Sequence, residues 1–246
     1  MRLSAIVITL NEENNIADCL TALKFADEII LVDSHSADRT CEIARRFTPN
    51  VLLRKFDDFS SQKNFALSLA KGEWILSVDA DERVSVALAS EIQRTISSET
   101  ADVAYRVLRH TRLFNKEFRY SGLQNDKPVR LFRRGRGVFK NPVHEELRVD
   151  GKTGLLREPL RHISFQTLED YWKKLQLYTA IAQPSEEKTI GMAHVLGRPI
   201  YRFLDIYFLK QGFRDGMEGF IYSVLSSYHE FVRWAKRWEK GVLAGE

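Results

Sequence analysis

What the chain lacks sets the first limits. Cysteine is scarce, with only Cys19 and Cys41 in 246 residues, too few for a disulfide framework and consistent with a reduced compartment. Each falls inside an apparent helix after an early strand, where a small buried core residue is the expected role. No uninterrupted apolar run reaches the ~18 residues of a spanning helix, so no membrane span is expected. No basic segment with a small-residue cleavage site opens the chain, because Leu3 to Leu10 reads as a buried strand, and no secretory signal is expected. The default expectation is a cytoplasmic protein. No Gly-x-Gly-x-x-Gly follows the first strand, which disfavours a dinucleotide-dependent oxidoreductase. Internal repeats and low-complexity segments are missing as well. A net charge of +4 is modest, and no nucleic-acid partner is expected.

What is present is ordinary for a globular protein: 44% hydrophobic and 28% charged residues, which excludes wholesale disorder. The length suits one substantial α/β domain plus an appendage. Over the first hundred residues, strand and helix patterns alternate. Apolar, β-branched runs at Leu3 to Leu10, Glu28 to Val32, Val51 to Leu53 and Trp74 to Val78 predict strands buried on both faces. Between them lie helical patterns through Ile16, Leu20 and Leu23, then through Thr40, Ile43 and Ala44 with Ser36 as cap, then from about Ser60 to Ala70. Such βαβ alternation implies a mostly parallel, Rossmann-like sheet with helices on both faces. A helix around Val86 to Ile96 follows. Shorter strand-like runs over 103–163, broken by glycines, predict an antiparallel or mixed extension, and from about Thr167 the pattern is helical.

Ligands of such sheets sit at the carboxyl ends of the strands. Asn11 and Glu12 follow the first strand, Asp33 the second, Asp79 and Asp81 the fourth, so four acidic side chains are expected on one rim. Carboxylates two apart at a strand end suit a Mg²⁺ or Mn²⁺ ion that leaves positions open for substrate phosphates. Asp-x-Asp by itself recurs in ordinary loops; its place after a Trp-Ile-Leu-Ser-Val strand gives it meaning. Asp33 is placed to accept the N–H of a uracil-like base, Glu12 to reach ribose or base, and Lys63 on the third helix to neutralise phosphate charge.

The series AIVITLNEE (5–13), EIILVDSHSADRT (28–40) and SSQKNFALSLAKGEWILSVDADE (60–82) resembles the inverting family 2 glycosyltransferases of the GT-A fold. The resemblance implies a nucleotide-sugar donor, commonly a UDP-sugar, with Glu12 and Asp33 on base or ribose and Asp79 and Asp81 on metal and diphosphate. Where the family pattern carries Arg-Asn and a small residue, this chain has Lys63-Asn64-Phe65. Inversion needs a base for the acceptor hydroxyl. Asn141-Pro142-Val143-His144-Glu145-Glu146 resembles the family's acidic acceptor-side motif, with Glu145 as base and His144 orienting it or binding substrate. Glu146 competes for the role, since strand alternation turns only one of the pair inward. His162 resembles the C-terminal histidine that many GT-A enzymes give to the metal. The basic run Arg130, Arg133, Arg134 and Arg136 reads either as an acceptor contact or as a solvated edge.

On this resemblance residues 1–165 form the catalytic domain and 166–246 a helical region. NPVHEEL, RHISF, YWKKLQLY (171–178) and FLKQGFRDGMEGF (208–220) are similar to bacterial lipopolysaccharide-core β-glucosyltransferases that modify heptose. That implies UDP-glucose as donor and an inner-core heptose on a lipid-linked saccharide as acceptor. A peptide or another polysaccharide is the alternative acceptor, and a non-catalytic nucleotide-sugar-binding scaffold the alternative class. Ile200, Phe203, Leu204, Tyr207 and Phe208 fall on one helical stripe, and Phe220, Val224, Leu225, Tyr228 and Phe231 on a second. Trp234 and Trp238 follow among basic residues. These stripes fit a membrane surface at the cytoplasmic face of the inner membrane, packing on the catalytic domain, or a homo-oligomer contact.

Overall fold

The computed structural model describes residues 1–141, 145–181 and 191–243. In chain order the elements begin with β1 (Leu3–Thr9), α1 (Ile16–Ala22), β2 (Glu28–Asp33), α2 (Thr40–Ala44), β3 (Val51–Leu53), α3 (Phe59–Leu69) and β4 (Trp74–Asp79). Then come β5 (Glu82–Arg83), α4 (Val86–Ser97), β6 (Ala104–Leu113), β7 (Lys116–Glu117), β8 (Val129–Arg133), β9 (Gly137–Lys140), β10 (Glu146–Val149) and β11 (Thr153–Ile163). The rest is helical: α5 (Leu168–Ile181), α6 (Arg198–Leu204) and α7 (Gly216–Leu243), with wider π turns on either side of α6 and a 3-10 turn at Gly212–Asp215.

The main sheet runs β3-β2-β1-β4-β8-β6-β11-β5. Its first four strands are parallel, and β8 joins β4 antiparallel. This is the mixed α/β sheet expected from the sequence, with β9 and β10 as a separate antiparallel pair. Apart from Ser4 and Thr9, strand β1 is apolar, because apolar side chains pack on both of its faces. Ala5 and Val7 pack with Leu31, Leu76 and Val78 against Ile16, Cys19 and Leu20 of α1. The alternate positions Ile6, Ile30 and Ile75 pack against Ala66 and Ala70 on the α3 side.

Register places the strand ends. Thr9 lies opposite Asp33, and Ile8 opposite Asp79, so β1 carries both acidic neighbours at its carboxyl end. Helix α3 starts from Asp58, whose carboxylate accepts from Ser61 N–H, as an N-cap should. Ser36 does not cap α2, which has no side-chain cap. Its hydroxyl instead donates to the Asp33 carboxylate at 2.5 Å and accepts from the Asn11 N–H at 2.8 Å, so both its donor and its acceptor are used in tying the loops after β1 and β2 together. Cys19 is fully buried as expected, but Cys41 is only half-buried.

Two compact units divide the chain: Met1–His110 with Asp126–Ile163, and Thr111–Asn125 with Ser164–Glu246. The second has its own core of Leu113, Phe118, Phe165, Tyr171, Leu175 and Leu225.

Gly72 shows how tightly the first unit is wound. A Cβ there would stand 2.6 Å from Ser4 N and 2.9 Å from Leu3 C, both backbone atoms. Gly72→Ala should therefore lower stability by about 1–3 kcal/mol, read as a fall in urea midpoint. Gly135, at φ +80° with nothing within 4 Å of a Cβ, should cost about 1–2 kcal/mol on the same change, from backbone strain alone. An unchanged midpoint in Gly72→Ala would refute the close approach of the α3–β4 turn to β1.

Candidate active site

Strand β4 ends by delivering Asp79 to the rim, and four elements supply its partners. Lys63 of α3 donates to Asp79 Oδ1 at 2.8 Å and to Glu145 Oε1 at 2.6 Å. Arg130 of β8 donates through Nη2 to Asp79 Oδ2 at 2.7 Å and to Glu82 Oε1 at 2.5 Å. The Asp79 N–H closes the circuit on Glu82 Oε2 at 3.0 Å. Arg109 extends it, at 3.4 Å from Glu82 and with Nε at 2.6 Å from Asp126. Charges alternate along the whole chain of contacts. That alternation is what allows Lys63 (2% exposed), Arg130 (5%) and Glu82 (0%) to be buried, since a lone ion there would be prohibitive.

The protonation states follow from the same contacts. Burial opposes the charge on Asp79, but the Arg130 guanidinium and the Lys63 ammonium outweigh it and hold the carboxyl well below the usual carboxylate range. Burial likewise opposes the charge on Lys63, and Asp79 and Glu145 reverse this, raising its pKa. Arg130 is raised by Asp79 and Glu82 against its own desolvation. Nearby, burial pushes the Cys19 thiol up, so it is a core thiol and no nucleophile.

The positions singled out in the sequence fall into three groups. Lys63, Asp79 and Glu145 come together directly, with Lys63 buried as the cross-link between the two carboxylates. Asp81 and His162 form a second pair, with Oδ2 and Nε2 3.4 Å apart, because β5 pairs with β11 and sets Glu82 opposite His162. Glu12 and Asp33 make the third group. Glu12 Oε2 accepts from Asn15 Nδ2 at 2.7 Å, and Asn15 Oδ1 in turn accepts from Arg83 at 3.1 Å. Asp33 is fully buried and accepts from Ser36 N at 2.7 Å; opposite it, Thr9 Oγ1 is buried with no hydrogen-bond partner. Glu146 is exposed and lies in β10 opposite Lys140, so of the Glu145–Glu146 pair it is Glu145 that faces Lys63. His144 lies outside the described residues.

The basic run does not act as one surface. Arg130 turns inward, Arg133 donates to Glu73 at 2.5 Å and lies over the Trp74 ring, Arg134 donates to the Gly72 carbonyl, and Arg136 reaches Asp150. Period-2 alternation separated Arg130 from Arg133, and the turn after β8 separated the rest. Sequence reading missed Glu82 and Arg109. A third acid directly after Asp-x-Asp was the available signal for Glu82; Arg109 had none, since it reaches the network through strand pairing.

Among the described residues no group of three or more His, Cys, Asp or Glu side chains is set to enclose a metal ion. The Asp81–His162 pair nonetheless fits one. Ligands at about 2.0–2.2 Å from a divalent ion stand about 3 Å from one another, close to the 3.4 Å seen here. An ion held by only two protein groups keeps its other positions for phosphate oxygens, which is how Mg²⁺ sites are commonly completed. Asp79 has both oxygens committed to cations, Oδ1 to Lys63 and Oδ2 to Arg130.

The sequence profile described as Glycosyl transferase family 2 matches residues 4–164. The chain is 27% identical over 252 residues to the lipopolysaccharide core biosynthesis glycosyltransferase LpsC of Rhizobium meliloti (strain 1021), covering 98% of this chain and 93% of LpsC. It is 28% identical over 266 residues to an uncharacterized glycosyltransferase of Rickettsia conorii, covering 100% and 94% of the two chains. Among solved structures, S. aureus TarS 1-349 matches with a TM-score of 0.50 at 16% identity, covering 100% of this chain and 92% of that one. At that identity the likeness speaks for the fold alone.

Removing the shared cation should expose the cost of the cluster. Lys63→Met leaves Asp79 and Glu145 without their common partner and should destabilise the protein by about 3–5 kcal/mol, measured by urea unfolding at neutral pH. The pH dependence has a fixed sign. Because the folded pKa of Asp79 is depressed, its contribution is present above the unfolded value near about 4 and is lost as pH falls through the folded one. Urea midpoints should therefore decline more steeply below about pH 4 in the wild type than in Asp79→Asn; parallel profiles would refute the charge network.

Proposed function

Since the chain belongs to glycosyl transferase family 2, we propose that it is an inverting, metal-dependent glycosyltransferase of GT-A fold that moves glucose from UDP-glucose to a lipid-linked saccharide, the inner-core heptose of lipopolysaccharide. The observation that carries this reading is the bridge made by Lys63, which joins Asp79 on the donor side to Glu145, a residue 82 positions beyond the lysine in the chain. A buried lysine shared by a strand-end aspartate and an acceptor-side glutamate supports one site that takes residues from both parts of the chain. The acceptor class is supported by similarity to LpsC over nearly the full length of both chains.

In this reading Glu12 and Asp33 form the nucleoside end, Asp33 acting through the Ser36 loop it holds and Thr9 Oγ1 offering an unused polar atom beside it. Asp81 and His162 would hold a Mg²⁺ or Mn²⁺ ion, which neutralises charge on the diphosphate as it leaves. Lys63 and Arg130 offset the negative charge of Asp79, Glu82 and Glu145 at the same place, so that these carboxylates repel the diphosphate less. Glu145 takes the proton of the acceptor hydroxyl. The hydroxyl oxygen forms the new bond to the anomeric carbon from the face opposite the diphosphate. The old carbon–oxygen bond breaks with its electron pair leaving on UDP, so the configuration inverts.

Glu145→Gln should cut turnover by about 10²–10⁴-fold while UDP-sugar binding, read by calorimetry, stays within a few-fold of wild type. Asp81→Ala should abolish the Mn²⁺ or Mg²⁺ dependence and nearly all turnover, and chelation should do the same to the wild type. Full turnover by Asp81→Ala would sink the metal assignment. Donor binding with no transfer to any lipopolysaccharide-core acceptor would favour the scaffold alternative.

A further inference from the structure

The turn joining α6 to α7 in the second unit is rigid inside and apolar outside. Asp215 is buried, and its carboxylate accepts from the backbone N–H groups of Arg119 and Tyr120 at 3.0 and 3.1 Å and from the Ser121 hydroxyl at 2.8 Å. Its carbonyl accepts from Lys116 Nζ at 2.5 Å, and Lys116 also reaches Glu218 at 3.0 Å. Glycines let the backbone fold onto itself here. A Cβ on Gly219 would fall 2.0 Å from the Gly212 carbonyl oxygen, and one on Gly212 2.8 Å from that of Ile206.

From this fixed turn Phe208, Leu209, Phe213 and Met217 project with 54, 71, 50 and 69% of their surface exposed. Phe208 and Phe213 belong to a cluster with Phe203, Tyr207 and Phe220 whose neighbouring ring centroids lie 5.1–6.4 Å apart. Upstream, Leu204, Ile200, Leu196 and Met192 continue the exposed stripe at four-residue steps, the spacing of one helix face. Contiguous apolar surface of this kind, built on a constrained backbone, marks a contact site.

Its flanks select the occupant. Arg119, Arg198 and Arg214 are exposed; of the nearby acids Asp205 meets Lys210 and Arg202, Asp215 lies inside the turn and Glu218 meets Lys116, while Glu117 is exposed beside Arg119, so that the exposed arginines outnumber the exposed acid. Arg214 lies 4.3 Å over the Tyr120 ring, and with Arg119 and Lys116 it lines a cleft of about 490 Å³. Two copies meeting through this surface would set cation against cation. A bilayer with anionic headgroups complements it, and none of the described helices is long and apolar enough to cross one.

We propose that the tip formed by Phe208, Leu209, Phe213 and Met217 inserts into the interface of an anionic phospholipid membrane, with Arg119 and Arg214 on headgroup phosphates. The proposal rests on the glycosyltransferase reading only for the reason to be at a membrane, where a lipid-linked acceptor lies.

The test uses the full chain in flotation assays with phosphatidylcholine vesicles, with and without phosphatidylglycerol. Binding should require phosphatidylglycerol and weaken with salt. The double change Phe208→Ser and Phe213→Ser should lower bound protein at least about tenfold, and Arg119→Ala with Arg214→Ala at least about fivefold. Both variants should stay folded by circular dichroism, with at most a lowered unfolding temperature in the Phe variant, whose rings pack on Phe203 and Tyr207, and transfer to a delipidated saccharide should stay at wild-type level in both. Wild-type protein that ignores phosphatidylglycerol vesicles, or Phe variants that bind them equally well, would overturn the proposal. So would a concentration-dependent dimer in sedimentation velocity that the Phe changes abolish, since the surface would then be a self-contact. Vesicle binding by a protein that transfers no sugar supports the proposal and counts against the proposed function alone.

Discussion

The site depends on one buried cation. Lys63 sits at the centre of α3 with almost no access to water, and it is tolerable there only because Asp79 and Glu145 both face it. Each carboxylate in turn depends on the lysine. Arg130 repeats the logic one strand over, between Asp79 and Glu82. The alternation of charge links α3, the end of β4, β5, β8 and the segment before β10, so that shifting any one of them leaves an ion without its partner. Such clusters contribute little net stability beyond what an apolar core would give, but they penalise every arrangement except one. A site whose side chains come from distant parts of the chain needs that selectivity.

The sheet supplies the frame. Parallel pairing of β1 with β2 and β4 brings Asp33 and Asp79 level with the end of β1, and antiparallel β8 then delivers Arg130 from the far side. The pairing of β5 with β11 carries His162 back to Asp81. Sidechains that share the rim are thus spread over some 150 positions, and no local segment could have assembled them.

The second unit follows a different principle. Its turn between α6 and α7 is organised by Asp215 and by close glycine contacts, not by a charge network open to substrate. The segment FLKQGFRDGMEGF (208–220), with its glycines, lies between the two helical stripes of the sequence and interrupts them. In the structure the interruption is the important part, because it holds apolar side chains outward that a continuous helix would have had room to turn in.

Much of this was legible from residues alone. Apolar strands, helix periods and the place of Asp79 after β4 were visible because buried parallel strands and amphipathic helices impose local patterns. The cap at Ser36 was misread, and Arg130 was grouped with Arg133, Arg134 and Arg136 although it turns inward, since a hydroxyl and four arginines carry no record of which neighbour they meet. What the sequence by itself determined is the βαβ order and the acidic strand ends, because hydrophobic periodicity and chain direction fix both. Only the tertiary structure decided that Asp79 serves two cations, that Lys63 is buried and that Glu145 rather than Glu146 faces it. Those outcomes depend on electrostatic pairing between segments far apart in the chain, which no local pattern encodes.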